Sequence, residues 1–297
     1  YQLGQGLMQH ERWQEAREAI ELSLSFRPAF PRGHFDLGNL LHSEGRNQDA
    51  ARSYRRAVEL EPEFAEAWYN LGVVLMIGQR FDESAEAYRN AVTLKPDYPE
   101  AHNNLGILLQ SQGNAEAAVE HYRVAARLNP KFSSAYYNLA LTLQQQGELE
   151  QSLDVYQDLF SSAGGVSEAG AAKAVELERS AALMHVDARN NRANVLLEIG
   201  DYRGARDAYR DVLALDPKHP EANWNLGLVQ LQLGEWAEGW SQYEWRLRQP
   251  GRKQVHRSRP RWDGRPLKGR RILLDCEQGL GDALQFDIAG EIFDVKI

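Results

Sequence analysis

One cysteine, Cys276, in 297 residues excludes an internal disulfide and any multi-cysteine metal site. The eight histidines are scattered, with no H-E-x-x-H motif and no i,i+4 pair, so neither a metal centre nor a bound cofactor is expected. Long apolar runs are missing too. The stretch from Leu71 to Ile77, broken by Gly72, falls far short of the ~20 residues that cross a bilayer, so no membrane span or membrane partner is expected. The first residue is Tyr1 and no charged segment with an apolar core follows it. The true N-terminus is therefore expected to lie upstream; the compartment cannot be read, with the cytoplasm favoured.

What is present belongs to an ordinary folded chain, 43% hydrophobic and 26% charged. The net charge of −8 averages two unlike parts. From Arg246 to Arg271 there are 11 basic residues and one acid, Asp263, a segment of +10 against −18 for everything else.

Self-similarity organises the rest. Pro28, Pro62, Pro96 and Pro130 are each 34 residues apart, as are Tyr54, Tyr88, Tyr122 and Tyr156. Gly38, Gly72 and Gly106 keep the period, with Ala140 in the next slot; Leu37, Leu71, Leu105 and Leu139 keep it, as do Ala57, Ala91 and Ala125. Tyr156 to Tyr209 is one period plus 19 residues, and Pro130 to Pro217 is two periods plus 19, so both columns place one 19-residue insertion in the same repeat. Within a period Trp68, Leu71 and Leu75, then Ala87, Tyr88 and Ala91, follow helical spacing. Gly45, Gly113, Gly147, Gly200 and Gly234 stand where a left-handed residue ends one helix and turns into the next. Pro31, Pro99 and Pro220 suit the first position of the following helix.

The pattern W-x-x-L-G-x-x-L, small-x-x-x-Tyr-x-x-Ala, then Pro, seen in Trp68, Leu71, Gly72, Leu75, Ser84, Tyr88, Ala91 and Pro96, resembles the tetratricopeptide repeat (TPR) family. The resemblance implies an all-α superhelical solenoid of about seven helix pairs over 1–249: 1–30, 31–64, 65–98, 99–132, 133 to about 160, 186–219 and 220–249. Leu159 replaces the small residue in the fifth repeat and Arg192-Ala193 replaces Leu-Gly in the sixth. Both flank the insertion, at about 160–185, which opens with Ser161-Ser162-Ala163-Gly164-Gly165 and then reads as an extra helix. That helix either lengthens the first helix of repeat six or packs beside it, or else bends the superhelix or meets a partner.

In this family the first helix of each repeat lines a concave groove. One residue before the leucine column stand Asn70, Asn104, Asn138, Asn191 and Asn225, with Asp36 in repeat two. A primary amide both donates and accepts, so it suits a peptide backbone irrespective of side chains. The row is similar to the asparagine ladder of the TPR arm of O-GlcNAc transferase, which holds extended acceptor peptides. Hydrogen bonding within the solenoid is the alternative. Tyr69, Tyr137 and Trp224 add aromatic surface to the expected peptide-binding set or pack between repeats. Glu66, Glu100, Asp187 and Glu221 precede the asparagines by four residues and should face the same way. The groove is then acidic, which disfavours a basic clamp for a carboxylate-terminated tail and prefers neutral or cationic peptides.

Trp236, Trp240, Tyr243 and Leu247 form one helical stripe and Trp245 points off it, so two buried faces are expected. A basic linker follows over 250–271. Next, Arg271 to Cys276 reads as a strand, and Glu277-Gln278-Gly279-Leu280-Gly281-Asp282 as a turn opening a helix. The wider string, from E-G-W-x-x-Y-E-W-R through R-P-x-W-D-G to I-L-L-x-x-E-Q-G-L-G-D-x-L-Q-F, resembles the junction of bacterial TPR proteins with a heptosyltransferase-like glycosyltransferase domain. The resemblance makes 272–297 the truncated start of an α/β catalytic domain. It also makes Asp282 a candidate general base in the intact enzyme, although an aspartate there also suits a helix N-cap. Too little of that domain is present for a nucleotide-binding lobe, so this chain alone is expected to have no turnover, and a sugar nucleotide becomes a partner only if the domain is completed. The expected role is a protein- or peptide-binding scaffold, the substrate-recognition arm of a glycosyltransferase; the alternative is a free-standing assembly scaffold with a degenerate C-terminal remnant. Nucleic acid is not the expected partner, because the −18 solenoid repels a polyanion.

Overall fold

In a computed structural model, residues 1–9, 12–162 and 173–248 are described. The chain divides into two units, Tyr1–Arg246 and Leu247–Ile297. The linker 250–271, the expected strand and turn, and Asp282 lie outside the described residues.

The first unit is a series of antiparallel helix pairs. They are α1 (Gln2–Gln9) with α2 (Trp13–Phe26), α3 (Pro31–Ser43) with α4 (Asn47–Leu60), and α5 (Ala65–Ile77) with α6 (Phe81–Leu94). Next come α7 (Pro99–Ser111) with α8 (Ala115–Leu128) and α9 (Ser133–Gln145) with α10 (Leu149–Ser162). The series ends with α11 (Lys173–Ile199) with α12 (Tyr202–Leu215), and α13 (Pro220–Gln232) with α14 (Trp236–Tyr243). No strand occurs among the described residues, and no helix among them is long and apolar enough to cross a membrane.

Each pair closes on the tyrosine column. Tyr54, Tyr88, Tyr122, Tyr156 and Tyr209 are among the largest fully buried side chains. A Cβ added at Gly38, Gly72 or Gly106 would come within 2.6, 2.7 and 2.6 Å of the rings of Tyr54, Tyr88 and Tyr122, so glycine lets the first helix press against the ring borne by the second. Ser84 Oγ adds a hydrogen bond to the Gly72 carbonyl at 2.7 Å, and Ser152 Oγ does the same to Ala140 at 2.8 Å.

The turns follow the glycines. Gly45, Gly113, Gly147, Gly200 and Gly234 all have φ between 75° and 89°. At Gly45 the chain reverses through two bonds, Gly45 N–H to His42 O and Arg46 N–H to Leu41 O, which satisfy carbonyls the helix end leaves open. Repeat three makes the same turn with Gln79 at φ 58°, since its glycine, Gly78, stands one position early.

The start of four first helices, α3, α5, α7 and α13, is tied back by a device that periodicity did not show. His34 Nε2, Trp68 Nε1, His102 Nε2 and Asn223 Nδ2 occupy one column and reach the carbonyl of the proline six residues earlier, at 2.8, 2.9, 3.0 and 3.2 Å. The tryptophan of the repeat signature is therefore a hydrogen-bond donor as much as a packing group.

Repeat six carries the extra length in α11, whose 27 residues compare with 13 in α9 and 13 in α13. The other departure is at the end of the unit. The stripe expected to be buried starts exposed, Trp236 at 62% and Trp240 at 45%, and the helix tightens after Tyr243 into a 3₁₀ turn over Glu244–Arg248. That tightening breaks the spacing on which the stripe rested.

Candidate functional site

The first helices form one continuous face, and the asparagine row runs along it. Asn70, Asn104, Asn138, Asn191 and Asn225 are all half-buried. Each donates from Nδ2 to the preceding repeat, to its first helix and, for Asn104, also to Tyr88 on its second. Asn70 donates to Asn39 Oδ1 at 2.9 Å, Asn138 to Asn103 Oδ1 at 3.0 Å, and Asn225 to Asn194 Oδ1 at 3.1 Å. Asn191 reaches Tyr137 Oη at 3.3 Å, and Asn104 lies 3.5 Å from Tyr69 Oη and 3.3 Å from Tyr88 Oη. Each bond fixes the plane of an amide; Asn70, Asn138, Asn191 and Asn225 keep a second N–H and a carbonyl to use, whereas Asn104 also accepts from Asn103 Nδ2 at 3.4 Å.

Two positions supply the acceptor: the residue just before the ladder position, and the one three residues after it. Repeat two uses Asn39, which also accepts from Tyr54 Oη at 2.8 Å; repeat six uses Asn194, which also accepts from Tyr209 Oη at 2.5 Å. Repeats three to five use Tyr69, Asn103 and Tyr137. The tyrosines expected as ligand surface thus belong to the inter-repeat network. Tyr69 also lies 4.7 Å from Tyr98, ring to ring. The Trp224 indole Nε1 is buried with no hydrogen-bond partner among the described residues.

Burial raises the Tyr54, Tyr69, Tyr88, Tyr98, Tyr137 and Tyr209 hydroxyls above the ordinary tyrosine value. They act as neutral donors and acceptors at any physiological pH.

Asp36, at the ladder position of repeat two, is enclosed, with 3% of its surface exposed. Tyr1 Oη donates to it at 2.5 Å, Gln5 Nε2 at 3.3 Å, and Arg32 lies 3.5 Å away. Burial, followed by the hydrogen bond to Asp36, pushes the Tyr1 hydroxyl up to about 12. The aspartate thereby docks α1 onto α3, a packing role that spacing alone did not reveal.

Of the expected acidic residues, Glu66 pairs with Lys95 at 3.3 Å. Glu221 accepts from Asn194 Nδ2 at 3.0 Å. Glu100, Asp187 and Glu221 are exposed and have no ion-pair partner among the described residues.

A histidine pair also escaped the sequence reading. His102 Nδ1 on α7 and His121 Nδ1 on α8 lie 2.9 Å apart, with rings 5.2 Å apart. Because His102 Nε2 must donate to the Pro96 carbonyl, its Nδ1 is the acceptor and His121 Nδ1–H the donor. Burial depresses both histidines below the ordinary 6.5. The residues are 19 apart in sequence and meet only through the pairing of the helices.

Comparison with known proteins agrees with this architecture. A tetratricopeptide repeat profile matches residues 1–59, 35–99 and 190–244, more than half of the chain. A TPR repeat profile matches 109–147 and a second tetratricopeptide repeat profile 133–163. Protein FlbA of Caulobacter vibrioides is 34% identical over 109 residues; the match covers 33% of this chain and only 17% of that protein. Among solved structures, YrrB, described as a TPR protein with an unusual peptide-binding site, superposes with a TM-score of 0.58 at 19% identity, over 69% of this chain and 96% of YrrB. PilF of Pseudomonas aeruginosa gives 0.56 at 22% identity, over 74% and 92%, and MamA gives 0.51 at 23% identity, over 54% and 93%. With the period, the paired helices and the profile matches together, the chain belongs to the tetratricopeptide repeat family.

Proposed function

We propose that this chain is a protein-binding scaffold that holds an extended segment along the face of its first helices. The observation that carries the reading is the oriented row of amides: five asparagines, each bonded to the preceding repeat, with Asn70, Asn138, Asn191 and Asn225 each held by a single such bond that leaves a carbonyl and a second N–H to use. Prior fixation lowers the entropy lost on binding. Replacing Asn104, Asn138 and Asn191 together by alanine should weaken diverse peptides alike, by about 0.5–1.5 kcal/mol for each net hydrogen bond. Peptide titration of the folded triple variant, with Tm recorded beside it, is the test. A lowered Tm with unchanged affinity would assign these amides to inter-repeat bonding alone.

The finer reading makes the solenoid of 1–249 the substrate-recognition arm of a glycosyltransferase, joined through the basic stretch 250–271 to an α/β catalytic domain that starts near 272. The R-P-x-W-D-G and E-Q-G-L-G-D strings support it. Asp282 is then the base that takes the acceptor hydroxyl's proton. In a polypeptide carrying the complete catalytic domain, Asp282→Asn should reduce turnover more than donor affinity. Equal losses in both would return Asp282 to helix capping.

A further inference from the structure

The two ends of the first-helix face differ in what they leave unsatisfied. Near the N-terminus the charges are spent internally, Asp36 on Arg32, Tyr1 and Gln5, and Glu66 on Lys95. Repeat four leaves Glu100 exposed without an ion-pair partner among the described residues, but it stands alone, because repeat five has the uncharged Ser134 on the acidic row. On α11 and α13, by contrast, Asp187 and Glu221 occupy that row in consecutive repeats, are exposed, and have no ion-pair partner among the described residues. Glu198, about three turns further along α11, accepts from Gln144 at 2.7 Å and also has no ion-pair partner among the described residues. The nearby arginines are used or turned away. Arg189 lies 5.0 Å over the Phe160 ring and donates to the His185 carbonyl, and Arg192 stands on the leucine column, one step round from the face.

A second and independent surplus lies at the same place. The ladder asparagine of each repeat needs one acceptor in the repeat before it, and repeats two to five supply one of the two usable positions. Repeat two offers Asn39 behind Phe35; repeats three, four and five offer Tyr69, Asn103 and Tyr137, with Val73, Ile107 and Leu141 at the other position. Repeat six supplies both, Asn190 and Asn194. Asn225 takes Asn194. Asn190, 3% exposed and equivalent to the Asn103 that receives Asn138, keeps a buried Oδ1 with no donor among the described residues. Burying an unmet acceptor costs stability. A ligand that brings an N–H recovers that cost.

We propose that the α11–α13 section of the face is the specificity-bearing part of the groove, and that it takes an extended protein segment bearing two lysines or arginines about three residues apart. The inference rests on the groove reading above and adds the chemistry of the partner. Asn190 Oδ1 accepts an N–H from the segment, and Asp187 and Glu221 each receive one cation. The spacing follows from geometry, because neighbouring packed helices lie about 8–10 Å apart and an extended chain advances about 3.4 Å per residue. Trp224, about one turn after Glu221 on α13 and half-buried, offers a ring over which an alkyl stem or guanidinium can lie.

The test uses the full chain and a fluorescent twelve-residue peptide with lysine at every third position and serine or alanine between, beside the same peptide with glutamine for lysine. Asp187→Asn with Glu221→Gln should weaken the lysine peptide about tenfold, with a shallower dependence on salt, and leave the glutamine peptide unchanged. The same loss of charge on the exposed face of α10, Glu150→Gln with Asp154→Asn, should change neither. Asn190→Leu should raise Tm, because an unmet buried acceptor is gone, while weakening both peptides several-fold; a purely structural residue would not move these readouts in opposite directions. Undiminished lysine-peptide binding in the Asp187 and Glu221 variant overturns this inference. The broader groove reading is judged separately, by whether Asn104→Ala with Asn138→Ala weakens the glutamine peptide.

Discussion

Repeats two to four and repeats five to six have the same columns and solve the same packing problem differently. In α3, α5 and α7 a glycine faces the tyrosine ring of the partner helix; in α9 and α11 the slot holds Ala140 and Ala193. In the first group every column tyrosine hydroxyl is hydrogen-bonded, Tyr54 to Asn39, Tyr88 with Asn104, and Tyr122 to Gln110 at 3.0 Å. In repeat five the buried Tyr156 hydroxyl lies beside Asn191 but makes no hydrogen bond of good geometry among the described residues. The polar network goes out of balance where the repeat signature loosens and α11 lengthens, at Tyr156 and Asn190. A repeat array tolerates this because each repeat answers mainly to its neighbours.

The largest expected effect comes from breaking the tight contact in the regular group. Gly72→Val puts atoms into a ring already 2.7 Å from an added Cβ, and calorimetry or denaturant unfolding should show a loss of about 3 kcal/mol, the upper end for overfilling a packed core. Ala140→Gly in the other group should cost only about 1 kcal/mol, chiefly helix propensity. Equal losses would mean that the two slots pack alike.

Acid should act on repeat four. His102 and His121 stay neutral in the fold at pH values where the unfolded chain binds protons, so stability is complete above about 6.5 and is lost as pH falls through the window below it. The slope is up to about 1.4 kcal/mol per pH unit for each proton withheld. His121→Ala, which places there the residue found at Ala87 and Ala208, should flatten Tm between pH 7 and pH 5.5 in part; His185, also depressed, keeps the remainder. An unchanged slope would show that the pair does not set it.

One hydroxyl at a time sharpens the contrast between the two groups. Tyr54→Phe and Tyr209→Phe each remove a bonded hydroxyl and should cost about 0.5–1.5 kcal/mol, whereas Tyr156→Phe removes an unmet one and should be neutral or stabilising. Urea midpoints of the three variants decide it.

Gln79→Gly, the smallest change, gives repeat three the left-handed glycine that the equivalent turns possess and should stabilise by about 0.5–1 kcal/mol. A lower midpoint would mean that the Gln79 side chain supports the turn.

The period, the helix pairing, the left-handed glycines and the proline starts were legible because each follows from neighbours in sequence: a 3.6-residue stripe, a positive φ, a missing N–H. The asparagine row was legible as a row, since equal spacing on equal helices puts equal positions on one face. Which atom each asparagine bonds was not legible, because Asn39, Asn103 and Asn194 are acceptors only by virtue of how one repeat stacks on the next. The same holds for Asp36 receiving Tyr1, for His102 meeting His121 and for Asn190 losing Asn225 to Asn194. Hydrogen bonds have a reach of about 3 Å and a narrow range of angles, so they depend on the rise and rotation between repeats. Periodicity determined the sequence of helices in this protein; only the stacking decided which polar groups were left with something to bind.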